Sequence, residues 1–86
     1  MEIPGFELTA HAAAVIAERD IAIAWVARVL ARPSRTEKDR EDTSLTHALA
    51  PISERDDRIL RVVYNASVEP PRIVTSYFDR RQRGRT

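Results

Sequence analysis

The chain has 86 residues, 43% of them hydrophobic and 31% charged, with a formal net charge of +1 and no cysteine. So short a chain makes one domain that buries about 60–65% of the surface its unfolded form exposes. The missing thiols exclude a disulfide framework, a thiolate metal site and a cysteine nucleophile.

Phe6-Glu7-Leu8 is a short extended stretch, after which Thr9 is placed to cap a helix running to about Arg19. That segment is rich in alanine, and Ala13, Ile16 and Ala17 follow the i, i+3, i+4 spacing of a packed face. Asp20 is the expected N-cap of a second helix over Ile21 to Ala31, where Ala22, Val26, Val29 and Leu30 repeat the helical spacing and Pro33 stops it. Trp25, one turn before Val29, is expected to cover the seam between the helices. From Ser34 to Arg58 the run Arg35, Glu37, Lys38, Asp39, Arg40, Glu41, Asp42 holds too few apolar residues to bury and reads as an edge strand or loop. Within this span Ser44 to Ala50 alternates like a strand. Ile59 to Asn65 and Arg72 to Phe78 are the strongest strands and form a hairpin.

These elements predict an α+β fold in which two N-terminal helices pack on one face of a small antiparallel sheet, in the order β-α-α-β-β-β-β. Residues 1–78 form the domain and residues 79–86 a basic tail. The more apolar alternation of each strand should face the helices, giving Leu60, Val62, Tyr64, Val74 and Phe78. Arg61, Thr75 and Tyr77 then share the opposite face, where a cation, a hydroxyl and a phenol suit a phosphate and a stacked base.

Charge is unevenly spread, since residues 59–86 hold six arginines against Glu69 and Asp79. The tail alone contributes Arg80, Arg81, Arg83 and Arg85, a pattern that points to an anionic partner or to a merely solvated terminus. Two histidines, His11 and His47, make no zinc spacing, so no metal is expected. Only Gly5 and Gly84 are present, which removes phosphate-cradling glycine loops, and no cofactor is expected. No apolar run approaches the roughly 20 residues that span a bilayer, and the Met1-Glu2-Ile3-Pro4-Gly5 start lacks a signal-peptide pattern. A cytoplasmic protein with no membrane contact is the expectation.

Leu8-Thr9-Ala10-His11-Ala12, Glu18-Arg19-Asp20-Ile21, Val26, Pro33, Leu60-Arg61-Val62-Val63-Tyr64 and Ile73-Val74-Thr75-Ser76-Tyr77 together resemble a bacterial family, domain of unknown function 4258. Asp20 stands where that family commonly has glycine. The resemblance implies a relation to compact ribonuclease toxins of the RelE and BrnT kind. It also implies metal-independent RNA cleavage with His11, Arg19, Arg61 and Thr75 as site residues, and an antitoxin protein as partner.

The chemistry is consistent with that implication. Metal-free RNA cleavage needs a base at the 2′-hydroxyl, an acid at the leaving oxygen and cations for the phosphorane, and an imidazole serves either proton role. A helix-start histidine is equally at home bonded to a nearby carbonyl. The expectation is therefore a small ribonuclease, RNA held by Tyr77, Arg80, Arg81, Arg83 and Arg85. The alternative is a catalytically inert RNA- or protein-binding module. With four arginines against one aspartate in residues 79–86, RNA affinity should fall steeply with salt, and deleting this tail should flatten a plot of log affinity against log salt. Salt-independent binding by the full chain would contradict the electrostatic role of the tail.

Overall fold

The computed structural model describes residues 3–80. A short strand β1 (Glu7–Leu8) leads into helices α1 (Ala10–Glu18) and α2 (Ile23–Ala31), followed by strands β2 (Arg35–Lys38), β3 (Leu45–Ile52), β4 (Arg58–Asn65) and β5 (Arg72–Asp79). This is the expected α+β order. The sheet runs β1-β5-β4-β3-β2. Strands β2 to β5 pair antiparallel, and β1 adds one short parallel pairing beside Arg72 and Ile73, which makes the whole sheet mixed. Among the described residues no helix is long and apolar enough to cross a membrane.

Helix α1 starts as expected, with the Thr9 hydroxyl accepting the Ala12 N–H at 3.0 Å. Its end differs. The N–H of Asp20 bonds the Ala17 carbonyl at 3.2 Å and that of Ile21 bonds the Ile16 carbonyl at 3.0 Å, while Asp20 adopts φ +58°. This is a Schellman closure with Asp20 in the left-handed position and its accompanying apolar pair, Ile16 and Ile21, both buried. Asp20 therefore closes α1 and does not cap α2, whose N-cap is Ala22 with no side-chain bond. Glycine would take this positive φ without a Cβ clash.

Helix α1 lies over β5, and α2 over β4 and β3. The buried stripe of α1 is Ala12, Val15 and Ile16, and the expected Ala17 is exposed. An alanine-rich helix offers several adjacent stripes, and the bulky Val15 and Ile16 select the one that packs. Trp25 packs against the core and meets the Phe78 ring edge-on, centroids 6.2 Å apart.

The helix-side face of the sheet contributes Ala48, Ala50, Ile52, Leu60, Val62 and Ile73 to the core, with Tyr64 and Phe78 packed at its margin. Two strands depart from the expected facing. In β3 the more apolar alternation, Leu45, His47 and Leu49, points away from the helices, while small Ala48 and Ala50 admit the close approach of α2. In β5 the register slips between Val63 and Tyr64, whose partners are Thr75 and Ile73, so Val74 is the extra residue and Ile73 enters the core in its place.

Replacing Asp20 by Gly should raise stability by roughly 0.5–1 kcal/mol, the left-handed penalty relieved less the entropy glycine loses. In a domain of this size that is about 2–8 °C in thermal midpoint. Asp20→Val should lower the midpoint. Equal midpoints for the two variants in calorimetry would show that this backbone position carries no strain.

Candidate functional site

Strand β4 lies in the middle of the sheet, and its residues alternate between the helix layer and the open face. Leu60 and Val62 point into the core, so Arg61 between them points to the open side, opposite Leu49 of β3 and Tyr77 of β5. A long side chain on a sheet face reaches the diagonal neighbours of its direct partners. Arg61 does so in both directions. Toward β5 its Nε and Nη2 donate to the same Asp79 oxygen, Oδ2, at 3.0 and 2.6 Å. Toward β3 its Nη1 meets His47 Nδ1 at 2.8 Å, and it also donates to Glu37 Oε1 of β2 at 2.9 Å. Glu37 stands directly opposite His47 in the β2–β3 register.

The chain of contacts continues to Asp39. His47 Nε2 lies 2.8 Å from Asp39 Oδ1. The other oxygen, Oδ2, accepts the backbone N–H groups of Glu41 and Asp42 at 3.1 and 3.0 Å, which orders the turn after β2. Since a guanidinium only donates, Nδ1 must accept from it and Nε2–H must donate to Asp39, which assigns His47 the neutral Nε2–H tautomer. The side chain of Arg61 is only 9% exposed, and that of Asp79 11%. Burial works against the Arg61 charge, but hydrogen bonds to Glu37 and Asp79 outweigh it and raise its pKa above the ordinary value. The same bond from Arg61 holds Glu37 below the usual carboxylate range. Asp39 is lowered by His47 first and then by the backbone N–H groups of its turn.

Around this network the open face forms a cleft of about 780 Å³. Glu37, Asp39, Glu41 and Asp79 line it together with Lys38, Arg40, Arg61 and Arg80, so its charges balance, and Tyr77 supplies an aromatic wall. Lys38, Arg40 and Arg80 make no ion pair with another described residue. Among the described residues, the centre of the cleft sets one guanidinium, Arg61, against the three carboxylates Glu37, Asp39 and Asp79, and the cations Lys38, Arg40 and Arg80 lie around it with Glu41.

Of the residues singled out from sequence, Arg61, Tyr77 and Arg80 meet in this cleft. Thr75 shares the open face, opposite Val63, but does not line the cleft. His11 is exposed on α1, in the helix layer, and the sheet stands between it and Arg61. The expected convergence of His11 with Arg61 and Thr75 therefore does not occur. The physical reason is strand alternation: with Leu60 and Val62 turned to the helices, Arg61 must turn away from them. Arg19 is placed elsewhere again, its Nη1 donating to the Ser76 carbonyl of β5 at 2.9 Å and tying the end of α1 to the sheet. Arg81, Arg83 and Arg85 lie outside the described residues.

Sequence reasoning missed Glu37, Lys38, Asp39, Arg40, Glu41, His47 and Asp79 as members of this cleft. The available signal was the period-two placement of Glu37 and Asp39 in a segment read as edge strand or loop, together with His47 in the next strand.

Fold and site together define a small α+β domain with two helices covering one sheet face and a charge-balanced polar cleft on the other. The chain belongs to the family described as domain of unknown function (DUF4258), whose family model matches residues 8–78 and so spans all of the cleft except Asp79 and Arg80. No curated protein and no solved structure matches the chain.

The depressed carboxylates give a signed pH dependence. Glu37 and Asp39 are lowered, and Glu54, held by a two-pronged bond from Arg28 of α2 at 2.8 and 2.9 Å, is pulled down to about 2. Groups lowered on folding stabilise above their ordinary values, and that contribution is lost as pH falls through the folded values. Thermal midpoints should hold steady above about pH 5 and fall from there toward pH 2. Glu37→Gln should make the fall shallower. A midpoint that rises on acidification would contradict the network.

Proposed function

We propose that this chain is a small metal-independent ribonuclease, the toxin of a toxin–antitoxin pair, and that it works in the open-face cleft with His47 in the proton-transfer role expected of His11. The observation that carries the reading is the placement of one imidazole between a carboxylate and a guanidinium, inside a cleft rimmed by cations that pair with no other described residue. Those are the groups that cleavage through the 2′-hydroxyl needs.

In this reading Lys38, Arg40 and Arg80 receive the phosphates, because their charge is not spent on a described carboxylate. Arg61 positions His47. It is anchored to Asp79 through Nε and Nη2, which leaves Nη1 as the only nitrogen that must change partners. A phosphate oxygen that draws Nη1 away releases the Nδ1 lone pair of His47 to take the 2′-hydroxyl proton, while Asp39 holds the opposite ring nitrogen and favours the imidazolium that forms. Arg61 then faces the charge developing on phosphorus. As the bond to the 5′-oxygen breaks, the imidazolium gives its proton to that departing oxygen, leaving a 2′,3′-cyclic phosphate. Tyr77, beside it on β5, offers a ring for a base.

A second reading, a catalytically inert RNA- or protein-binding module, is favoured by one observation: both nitrogens of His47 are already hydrogen-bonded in the resting structure. Cleavage of bulk RNA in chelator separates the two. The ribonuclease reading expects activity that falls about 10²–10⁴-fold in His47→Ala and stays at the parent level in His11→Ala, with both variants folded by circular dichroism. Loss of activity in His11→Ala with His47→Ala at the parent rate would move the reaction out of the cleft. No cleavage by the parent, with RNA still bound, would leave the binding module.

A further inference from the structure

Outside the cleft, a second group of cations gathers at one end of the sheet. The chain turns from β3 into β4 through a short 3-10 turn, Ser53–Arg55, then Asp56 and Asp57 at φ +57° and +59°. Two successive left-handed residues reverse the backbone tightly, so Arg55 and Arg58 both reach the Phe78 ring. The Arg55 guanidinium carbon lies 5.7 Å from the Trp25 ring centroid and 5.3 Å from that of Phe78, and the Arg58 carbon lies 4.9 Å from the same Phe78 ring. Contacts of this kind occur about once per 70–80 residues. Here three converge on two rings.

These ring contacts leave the N–H groups of both guanidinia unspent among the described residues. Neither arginine hydrogen-bonds or pairs with a carboxylate among the described residues; Glu54 is engaged by Arg28, and Asp56 and Asp57 form no pair with either. Two like charges held against one ring repel each other, and an anion bound at their free N–H groups lowers that cost. The donor fork of a guanidinium matches two oxygens of a phosphate.

We infer that Arg55 and Arg58 form a binding site for the phosphodiester backbone of single-stranded RNA, separate from the cleft. Its position connects the two. Arg58 precedes Ile59, which stands opposite Asp79, so the pair sits at the same end of the sheet as Asp79 and Arg80 of the cleft. A strand leaving the cleft past Arg80 meets Arg58 and Arg55 as it rounds the end of β5. Naming RNA as the anion rests on the proposed activity; binding of a phosphodiester rests on the two arginines alone.

The chain's single tryptophan makes the site directly readable, because Arg55 stacks on it. The probe is a short single-stranded oligoribonucleotide with 2′-O-methyl groups, which lacks the hydroxyl nucleophile and is not cleaved. Titration should give a saturable change in Trp25 emission. Arg55→Gln with Arg58→Gln should weaken binding about tenfold or more and reduce the salt slope by about 1.4, at about 0.7 for each phosphate no longer neutralised. Circular dichroism reports whether that double variant folds. Arg55→Lys with Arg58→Lys keeps both charges and provides a second test, with affinity reduced and the salt slope kept.

Unchanged affinity and an unchanged Trp25 response in either folded double variant would overturn the inference. An equal response to inorganic phosphate at the same concentration would overturn the assignment to a nucleic-acid backbone. A parent that binds the oligonucleotide through these arginines and cleaves no RNA would support this site while removing the ribonuclease reading. Cleavage that is lost in His47→Ala with the Trp25 response intact would support both.

Discussion

A guanidinium buried in the central strand of a sheet has to be answered by its neighbours, and much of the open face is arranged around that demand. Arg61 reaches Asp79 on one side and Glu37 and His47 on the other, which links β5, β4, β3 and β2 through a single side chain. The constraint falls most heavily on β2. That strand is four residues long, polar and exposed throughout. Its tie to the sheet is the backbone ladder to β3, supplemented by Glu37 to Arg61 and by Asp39 to His47 just beyond its end. Removing one partner of such a buried pair strands the other charge, which typically costs more than the pair contributes when intact. The network therefore sets the shape of the cleft as well as its charge.

The sheet divides the molecule into two chemical environments. On one side, small alanines in α1 and β3 permit close packing, and the core is aliphatic with aromatic rings at its margin. On the other side, Leu49, Ile59 and Val63 are buried beneath a polar layer, so the open face is neither a second core nor a bare solvated surface. This partition decides which residues can cooperate. His11 and Arg61 both belong to motifs that carry the family resemblance, yet they stand on opposite sides of a sheet. His47 lies outside those motifs and is in contact with Arg61.

Charge is managed differently in the two polar regions. At the centre of the cleft each charge has a partner, and the cations that pair with no other described residue, Lys38, Arg40 and Arg80, line its walls. At the end of the sheet, Arg55 and Arg58 are held by aromatic faces instead of carboxylates. A net charge of +1 conceals both arrangements, because the sum over the chain carries no information about which charges are already spent on each other.

The order of the elements was legible from the chain alone. Thr9 as a cap, alanine-rich and 3.6-periodic helices, Pro33 after the second helix and the branched runs of β4 and β5 are local signals, and local signals survive into the fold because few competing contacts act within so short a segment. The outward turn of Arg61, Thr75 and Tyr77 was legible for the same reason, strand alternation being a property of two or three adjacent residues. What tertiary structure decided was which face each remaining strand presents and which residues meet across strands. The bulge opposite Val63 exchanged Val74 for Ile73, and the packing of α2 turned Ala48 and Ala50 inward and left His47 outside. Contact between Glu37, His47, Arg61 and Asp79 depends on the register of three strand pairings, which no single segment encodes: a one-residue slip in any of them sends its side chains to the other face.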